Sequence, residues 1–358
     1  MAQWIQILRT CNPEVSQPLG PVSKWLVITR ACVFSMTVLS AGIGGLLAAL
    51  AGAFDPWAFG LVVVGLVLAH ASNNMVNDYF DVRHGVDTPE YPRAAYAPHP
   101  ILSGMISVRG LWVAIFVFNL LDLGIALALT WWKGWPVLAF AAGGLAVSVF
   151  YVAPPFKLKH HGLGELAIFA IWGPLMVSGS YYALAGALPG SVWLASVPYG
   201  LAVMAVVVGK HLDKREKDAE RRVGTLPVLL GERGGKRLMG ALIVLLYLCV
   251  LGLAVARSLP LASLLVLLSL PRAVRVLRVL ALPMPTSPQA AFALAKDAVP
   301  RDLREKFDPA RGGQSFPLWP LWYVVWGVWW VRVAGAWLVV GLALGLAEPW
   351  LLLKLGLA

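Results

Sequence analysis

Charge is scarce in this chain. Aspartate, glutamate, lysine and arginine together make up 13% of its 358 residues, about half of what a soluble domain carries. That excludes an ordinary soluble enzyme, whose surface needs ionised groups. Acids are the scarcer kind, 18 against 29 lysines and arginines. Cysteine is nearly absent. Cys11, Cys32 and Cys249 have neither metal-like nor disulfide-like spacing, so they point to neither a metal centre nor a cross-link. Residues 1–23 are mixed and polar without an apolar core, so no secretory signal is expected there. No internal repeat stands out.

What the chain has instead is apolar length. Hydrophobic residues make up 59% and the mean hydropathy is +0.74, which describes a polytopic, all-α membrane protein. Windows of about 20 apolar residues predict nine spans, near 25–53, 57–77, 111–131, 135–153, 164–188, 191–209, 238–257, 259–282 and 319–346. The segment before them, 1–24, reads as a cytoplasmic leader to a membrane domain over 25–346. That domain contains a polar insertion at 283–318, and 347–358 forms a tail. Ser287-Pro288 reads as a helix start, with the rest of the insertion favoured as linker. With the N-terminus inside, 24 of the 29 lysines and arginines fall in cytoplasmic segments, a strong positive-inside bias. The net charge of +11 therefore reports orientation, and a nucleic-acid partner is not needed to explain it.

The polar chemistry gathers on that same side. Directly after an apolar run from Trp57 to Ala71 come Asn73-Asn74-Met75-Val76-Asn77-Asp78-Tyr79-Phe80-Asp81 and then Gly85-Val86-Asp87-Thr88-Pro89. If the helix continues, Asn74, Asp78 and Asp81 lie within roughly 60° of one another, on one face, and His70 joins the stripe a turn earlier. Two carboxylates and an amide at the mouth of a membrane helix make a hard-oxygen site suited to Mg²⁺. Ionisable residues at that depth cost about 2.5–3.5 kcal/mol each on insertion scales, so they usually mark function.

Two further cytoplasmic connections complete the pattern. One reads Tyr151-Val152-Ala153-Pro154-Pro155-Phe156-Lys157-Leu158-Lys159. The other runs from Lys210 through Asp213, Lys214 and Asp218 to Gly224-Thr225-Leu226. Acids can hold a divalent cation while lysines and arginines hold phosphate oxygens. Together they describe a site for a metal–diphosphate.

At these residues the chain resembles the UbiA superfamily of intramembrane prenyltransferases. The passages Asn77–Asp81 with Gly85–Pro89, Gly162-Leu163-Gly164-Glu165-Leu166 and Gly173-Pro174-Leu175-Met176-Val177 are similar to its menaquinone-pathway branch. The resemblance implies a nine-helix bundle with a central cavity open to the cytoplasm, in the cell's inner membrane. It implies transfer of a polyprenyl group from polyprenyl diphosphate to 1,4-dihydroxy-2-naphthoate, with loss of a carboxyl group. Mg²⁺, or Mn²⁺ in its place, would be held by Asn74, Asp78 and Asp81 and by the second motif, Asp213 and Asp218. Arg30, Lys157, Lys159, Lys210 and Lys214 would bind the diphosphate. Tyr151, Tyr181 and Tyr182 would shield the allylic cation.

One departure stands out. The family's second motif is Asp-x-x-x-Asp, and its earlier position is occupied here by Lys214. Asp213 is one residue off and would lie about 140° from Asp218 on a regular helix. Asp122 and Arg332 read as interhelical hydrogen-bonding groups, and Glu165 as a helix-end or substrate contact. Other acceptors, such as 4-hydroxybenzoate, haem, a chlorophyll precursor or a lipid, remain open, as does a transporter. A transporter predicts buried charges at the midplane of several helices, whereas these acids crowd one membrane face.

Overall fold

The computed structural model describes residues 3–13, 18–313, 316 and 319–348; the end of the predicted tail, 349–358, lies outside them. The described residues are helical, with one isolated bridge, His161 to Gly224, in place of any sheet. In chain order the helices are α1 (Gln3–Thr10), α2 (Pro21–Ile28), α3 (Phe34–Leu50), α4 (Pro56–Arg83), α5 (Pro92–Tyr96), α6 (Val108–Lys133), α7 (Pro136–Val152) and α8 (Gly164–Ala170). There follow α9 (Met176–Ala185), α10 (Gly190–Asp213), α11 (Arg215–Glu220), α12 (Leu226–Val255), α13 (Leu270–Ala281), α14 (Pro288–Ala295), α15 (Arg301–Phe307) and α16 (Tyr323–Gly345).

Among the described residues, seven helical stretches are long and apolar enough to cross a membrane. They correspond to seven of the predicted windows. At 135–153 stands α7, apolar but only 17 residues long. At 259–282 a 3₁₀ segment, Leu261–Ser269, runs into α13. The fourth of the seven stretches, Gly164–Ala185, joins α8 to α9 through a π-helical turn, Ile171–Leu175, where Pro174 cannot donate to the ladder.

α4 positions the site. Asp55 caps it, accepting the N–H groups of Trp57 and Ala58 at 3.1 Å, and Pro56 takes the first position, where its missing donor costs nothing. Its 28 residues extend about 42 Å at 1.5 Å each, more than the roughly 30 Å of a hydrocarbon core. The surplus is the polar end, so Asn74, Asp78 and Asp81 ride on a continuous helix past the apolar stretch. Close helix approach fixes the bundle around it. Gly44 of α3 faces α9 so closely that an added Cβ would lie 2.5 Å from the Val177 carbonyl oxygen.

Two expectations are corrected. Cys11 and Cys32 form a disulfide, their Cα atoms 5.2 Å apart. α1 packs against α2 and the 3₁₀ turn at Ala31–Val33, and that tertiary contact, invisible in the 21-residue spacing, brings the thiols together. The insertion 283–318 is not mere linker. α14 and α15 bury Phe292, Leu303 and Phe307, and Asp302 of α15 pairs with Arg9 of α1.

Candidate active site

The end of α4 is wrapped by the irregular segment after it. The N–H groups of Val86 and Asp87 donate to the Asp81 carbonyl at 2.8 and 3.0 Å. The chain then carries Asp87, Tyr91, Arg93 and His99 back over the helix. Asp78 is fully buried. It accepts from the Arg30 guanidinium, with Arg93 Nε at 3.8 Å and His99 Nε2 at 3.6 Å. His99 also meets Asp87 at 3.2 Å. One ligand atom from each of Asp78, Asp87 and His99 lies within 4.8 Å of the other two. Arg30 reaches Asp78 from a left-handed backbone position, φ 54°, which turns the chain between α2 and α3.

Asp81, on the same face, is gripped from elsewhere. Lys159 Nζ donates to its two oxygens at 2.9 and 2.8 Å, and the Asn77 amide donates at 2.6 Å. The Asn74 amide donates to the Thr29 carbonyl at 2.9 Å, which ties α4 to the Arg30 turn and leaves the Asn74 side-chain oxygen outside that bond. Lys157 has a left-handed φ of 43° and does not join these contacts.

The second motif is broken, as its departure from the family spacing suggested. α10 ends at Asp213, Lys214 is non-helical and α11 begins at Arg215. Asp213 is turned away. Its oxygens accept the N–H groups of Tyr323 at 2.7 Å and Val324 at 3.0 Å, so it satisfies donors that the first turn of α16 leaves orphaned. Asp218 is turned inward and fully buried. It accepts from the Tyr91 hydroxyl, which in turn accepts from Lys214 Nζ at 3.0 Å. Burial works against the Lys159 and Lys214 ammonium groups, but Asp81 beside one and Asp218 beside the other outweigh it, so both lysines titrate above their ordinary range. Burial, and then Asp218, push the Tyr91 hydroxyl up likewise.

Behind this layer, His211 Nδ1 and Glu165 Oε1 are 2.7 Å apart, and Glu165 accepts the Leu226 N–H at 3.0 Å. Glu165 thus braces α8, α10 and α12. The sequence reading missed His99, Tyr91 and Arg93 as site residues. Their only local signal was a proline beside each, Pro92 and Pro100, marking a constrained segment.

Two cavities meet here. One, of about 420 Å³, lies between α4, α6, α7 and α9 and is walled by apolar side chains such as Leu61, Ile125, Val137 and Leu175. The other, of about 730 Å³, presents Arg30, Asn74, Asn77, Arg93, Tyr151 and Lys210. His70, Asn73 and Trp172 line both. The rings of His70 and Trp172 are 5.2 Å apart, edge to face, with Phe34 5.3 Å from His70. α15 closes part of the second cavity with Leu303 and Phe307. Tyr181 and Tyr182 line neither. Tyr181 is buried in the bundle, and the Tyr182 hydroxyl donates to the Lys133 carbonyl at 3.3 Å. Lys133 pairs with Asp55 at 3.3 Å, at the start of α4, so Tyr182 stands a whole helix length from the aspartates.

The cationic part of this cavity wall, Arg30 and Arg93, is backed by the buried Asp78 carboxylate and adjoins an apolar chamber. Residues 37–296 match the UbiA prenyltransferase family, and the chain belongs to that family. It is a multi-pass membrane prenyltransferase. It is 26% identical over 272 residues to a 2-carboxy-1,4-naphthoquinone phytyltransferase of Synechocystis, covering 74% of this chain and 86% of that one. It is 27% identical to the 1,4-dihydroxy-2-naphthoate octaprenyltransferase of Escherichia coli K12, covering 64% and 77%. Among solved structures it resembles a UbiA homolog from Aeropyrum pernix, with TM-score 0.56 and 19% identity over 85% of this chain and 97% of that one. That likeness is one of fold.

Proposed function

We propose that this enzyme transfers a polyprenyl group from its diphosphate to 1,4-dihydroxy-2-naphthoate, at the cytoplasmic face of the inner membrane, within nine spans whose N-terminus is cytoplasmic. The observation that carries the donor assignment is the junction of an apolar cavity with a cationic one. A polyprenyl diphosphate has that same division, a long tail with no polar atom and one strongly charged end. The relatives named for naphthoate substrates support the acceptor.

The donor set fits a divalent cation. Asp78 and Asp218 each keep one buried carboxylate oxygen without a hydrogen-bond partner, and buried oxygens of that kind call for an explanation. The charges also fit. Asp78, Asp81, Asp87 and Asp218 face Arg30, Arg93, Lys159 and Lys214, so a bare cation would unbalance a neutral buried site. A cation arriving with a diphosphate would not. Asn74, Asp78 and Asp81 would hold Mg²⁺, with Asp218 serving the second motif alone, because Asp213 is committed to α16. A UbiA homolog from Archaeoglobus fulgidus has been solved with geranyl diphosphate and Mg²⁺. When bound, such an ion supplies Lewis-acid stabilisation of the charge on the leaving diphosphate.

The protein's own residues do the rest. Arg30, Arg93, Lys210 and Lys214 hold diphosphate oxygens as the C1–O bond breaks and its electron pair leaves with the diphosphate. His70 and Trp172, at the cavity junction, and Tyr151, on the wall of the larger cavity, turn aromatic faces to the allylic cation and keep water from it. An electron-rich ring carbon of the acceptor then bonds to C1, and the ring's carboxylate leaves as CO₂, its C–C bonding pair restoring the aromatic ring. Purified enzyme given a long prenyl diphosphate and 1,4-dihydroxy-2-naphthoate should form a demethylmenaquinol, which air oxidises to the quinone, and EDTA should abolish the reaction. Full turnover in EDTA would overturn the metal–diphosphate assignment, and product from 4-hydroxybenzoate alone would overturn the acceptor.

A further inference from the structure

Of the eight lysines and arginines on the wall of the larger cavity, three have acids beside them, and among the described residues Lys210, Arg272, Arg301, Arg304 and Arg332 have none. Arg30 and Arg93 face Asp78, and Arg9 pairs with Asp302. Arg272 of α13 and Arg332 of α16 line the same cavity, and among the described residues neither forms an ion pair. Each makes one hydrogen bond, to a backbone oxygen. Arg272 Nη1 donates to the Trp329 carbonyl at 2.7 Å, and Arg332 Nη2 donates to the Cys32 carbonyl at 2.6 Å. A guanidinium has five donors. Arg332 Nε is buried with no partner at all. The Arg272 guanidinium also stands over the Trp329 indole, 4.4 Å from its centroid.

These two arginines stand apart from the aspartate cluster. Lys210, another cavity cation without a carboxylate partner, feels Lys214, Arg30, Lys159 and Asp81 and so belongs with the diphosphate. Among the described residues, Arg272 and Arg332 form no hydrogen bond or ion pair with Asp78, Asp81, Asp87 or Asp218. The wall beside them, Val325, Val328 and Trp329, is apolar and aromatic. Guanidinium forks beside an indole suit a carboxylate carried on an aromatic ring.

We infer that Arg272 and Arg332, with Trp329, form the acceptor's carboxylate-recognition site, and so select aromatic carboxylic acids over carboxylate-free phenols. This rests on the prenyltransferase reading of the cavity above. The test uses the full-length enzyme in detergent, the variants R272Q, R332Q and R332K, and the acceptors 1,4-dihydroxy-2-naphthoate, 4-hydroxybenzoate and 1,4-dihydroxynaphthalene. Wild type should prefer a carboxylate-bearing acceptor. R272Q and R332Q should raise its KM about tenfold or more, the loss expected for a charge-assisted pair, with the KM for the prenyl diphosphate little changed. The preference for carboxylate over carboxylate-free acceptor should shrink toward one, and R332K should recover part of it.

A second measurement needs no turnover. The unreactive analogue 1-hydroxy-2-naphthoate, added without donor, should raise the Tm of wild type but not of R272Q. That variant leaves the Arg332–Cys32 contact in place, so it answers the question even if R332Q does not fold. A rise in the donor KM of similar size would make these arginines diphosphate ligands and overturn the proposal. So would equal losses on acceptors with and without the carboxylate, or a wild type that turns over only the carboxylate-free acceptor. A wild type that turns over 4-hydroxybenzoate but no naphthoate would defeat the naphthoate reading and leave the carboxylate site standing.

Discussion

The Asp213 carboxylate accepts two backbone N–H groups at the start of α16, whereas Asp218 keeps an oxygen free in the buried cluster. Their substitutions should therefore fail differently. Asp213→Ala removes a helix cap, a loss of about 0.5–2 kcal/mol, and should lower the Tm in detergent by a few degrees while turnover stays near wild type. Asp218→Asn keeps the shape and loses the charge, and should cut kcat by about 10²-fold or more with the Tm little changed. Both are read from one preparation by thermal unfolding and initial rates. Comparable losses of turnover would mean that Asp213 also serves the reaction.

His160, in the loop beside Lys159, is a second residue with a distinct signature. Burial, then the Lys159 ammonium, lower its pKa to about 4, and Lys157 and His84 add to this while Asp81 opposes it. The folded protein thus keeps His160 neutral where the unfolded chain, near 6.5, has taken a proton. Stability falls as pH drops from about 6.5 to about 4 and levels below that, since the unfolded state binds more protons across that window. His84 is shifted the same way, again chiefly by burial. A Tm series over this range should slope less steeply for His160→Gln than for wild type. An unchanged slope would assign the acid sensitivity to other groups.

At the scale of elements, Gly44 is where α3 and α9 touch backbone to backbone. A methyl group there would meet Val177 O at 2.5 Å and Ser180 Cβ at 2.7 Å, neither of which is the end of a flexible side chain. Gly44→Ala should cost about 1–3 kcal/mol, seen as a lower Tm. Gly60→Ala, with nothing within 4 Å, is the control. The elements also show what a sequence can and cannot reveal. α4 was legible because its apolar run leads straight into a stripe of Asn74, Asp78 and Asp81 at helical period. The irregular second motif was legible as a conflict of spacing, and the break at Lys214 resolves it. His99, Tyr91 and Arg93 were not legible, since they come from a segment without periodicity, folded back by contacts with α4. The Cys11–Cys32 pair and the role of α15 in the cavity wall were hidden for the same reason. Both depend on which elements meet in space.

At the scale of the whole molecule, the aspartate cluster and most of the basic residues require one orientation. α4 runs from Asp55, paired with Lys133, to the cluster at its far end, so these two places lie on opposite membrane faces. With 24 of 29 lysines and arginines in segments predicted to share the cluster's side, the orientation proposed for that side is cytoplasmic, where the hydrophilic acceptor would reach the cavity. Single cysteines introduced at Arg93 and at Gly134, in a background with Cys11, Cys32 and Cys249 replaced by serine, should react oppositely with a membrane-impermeant thiol reagent applied to intact cells. Arg93 is itself buried, so Glu90, exposed in the same segment, serves as the second probe of that side. Gly134 should label from outside and Glu90 only after the membrane is opened. Labelling of both from outside would place the two ends of α4 on one face, which a continuous 28-residue helix does not permit in a bilayer, and the assignment of α4 as a span would fall with it. Labelling with the sides exchanged would keep the fold and reverse the orientation, leaving the basic bias to be explained by the anionic substrate alone.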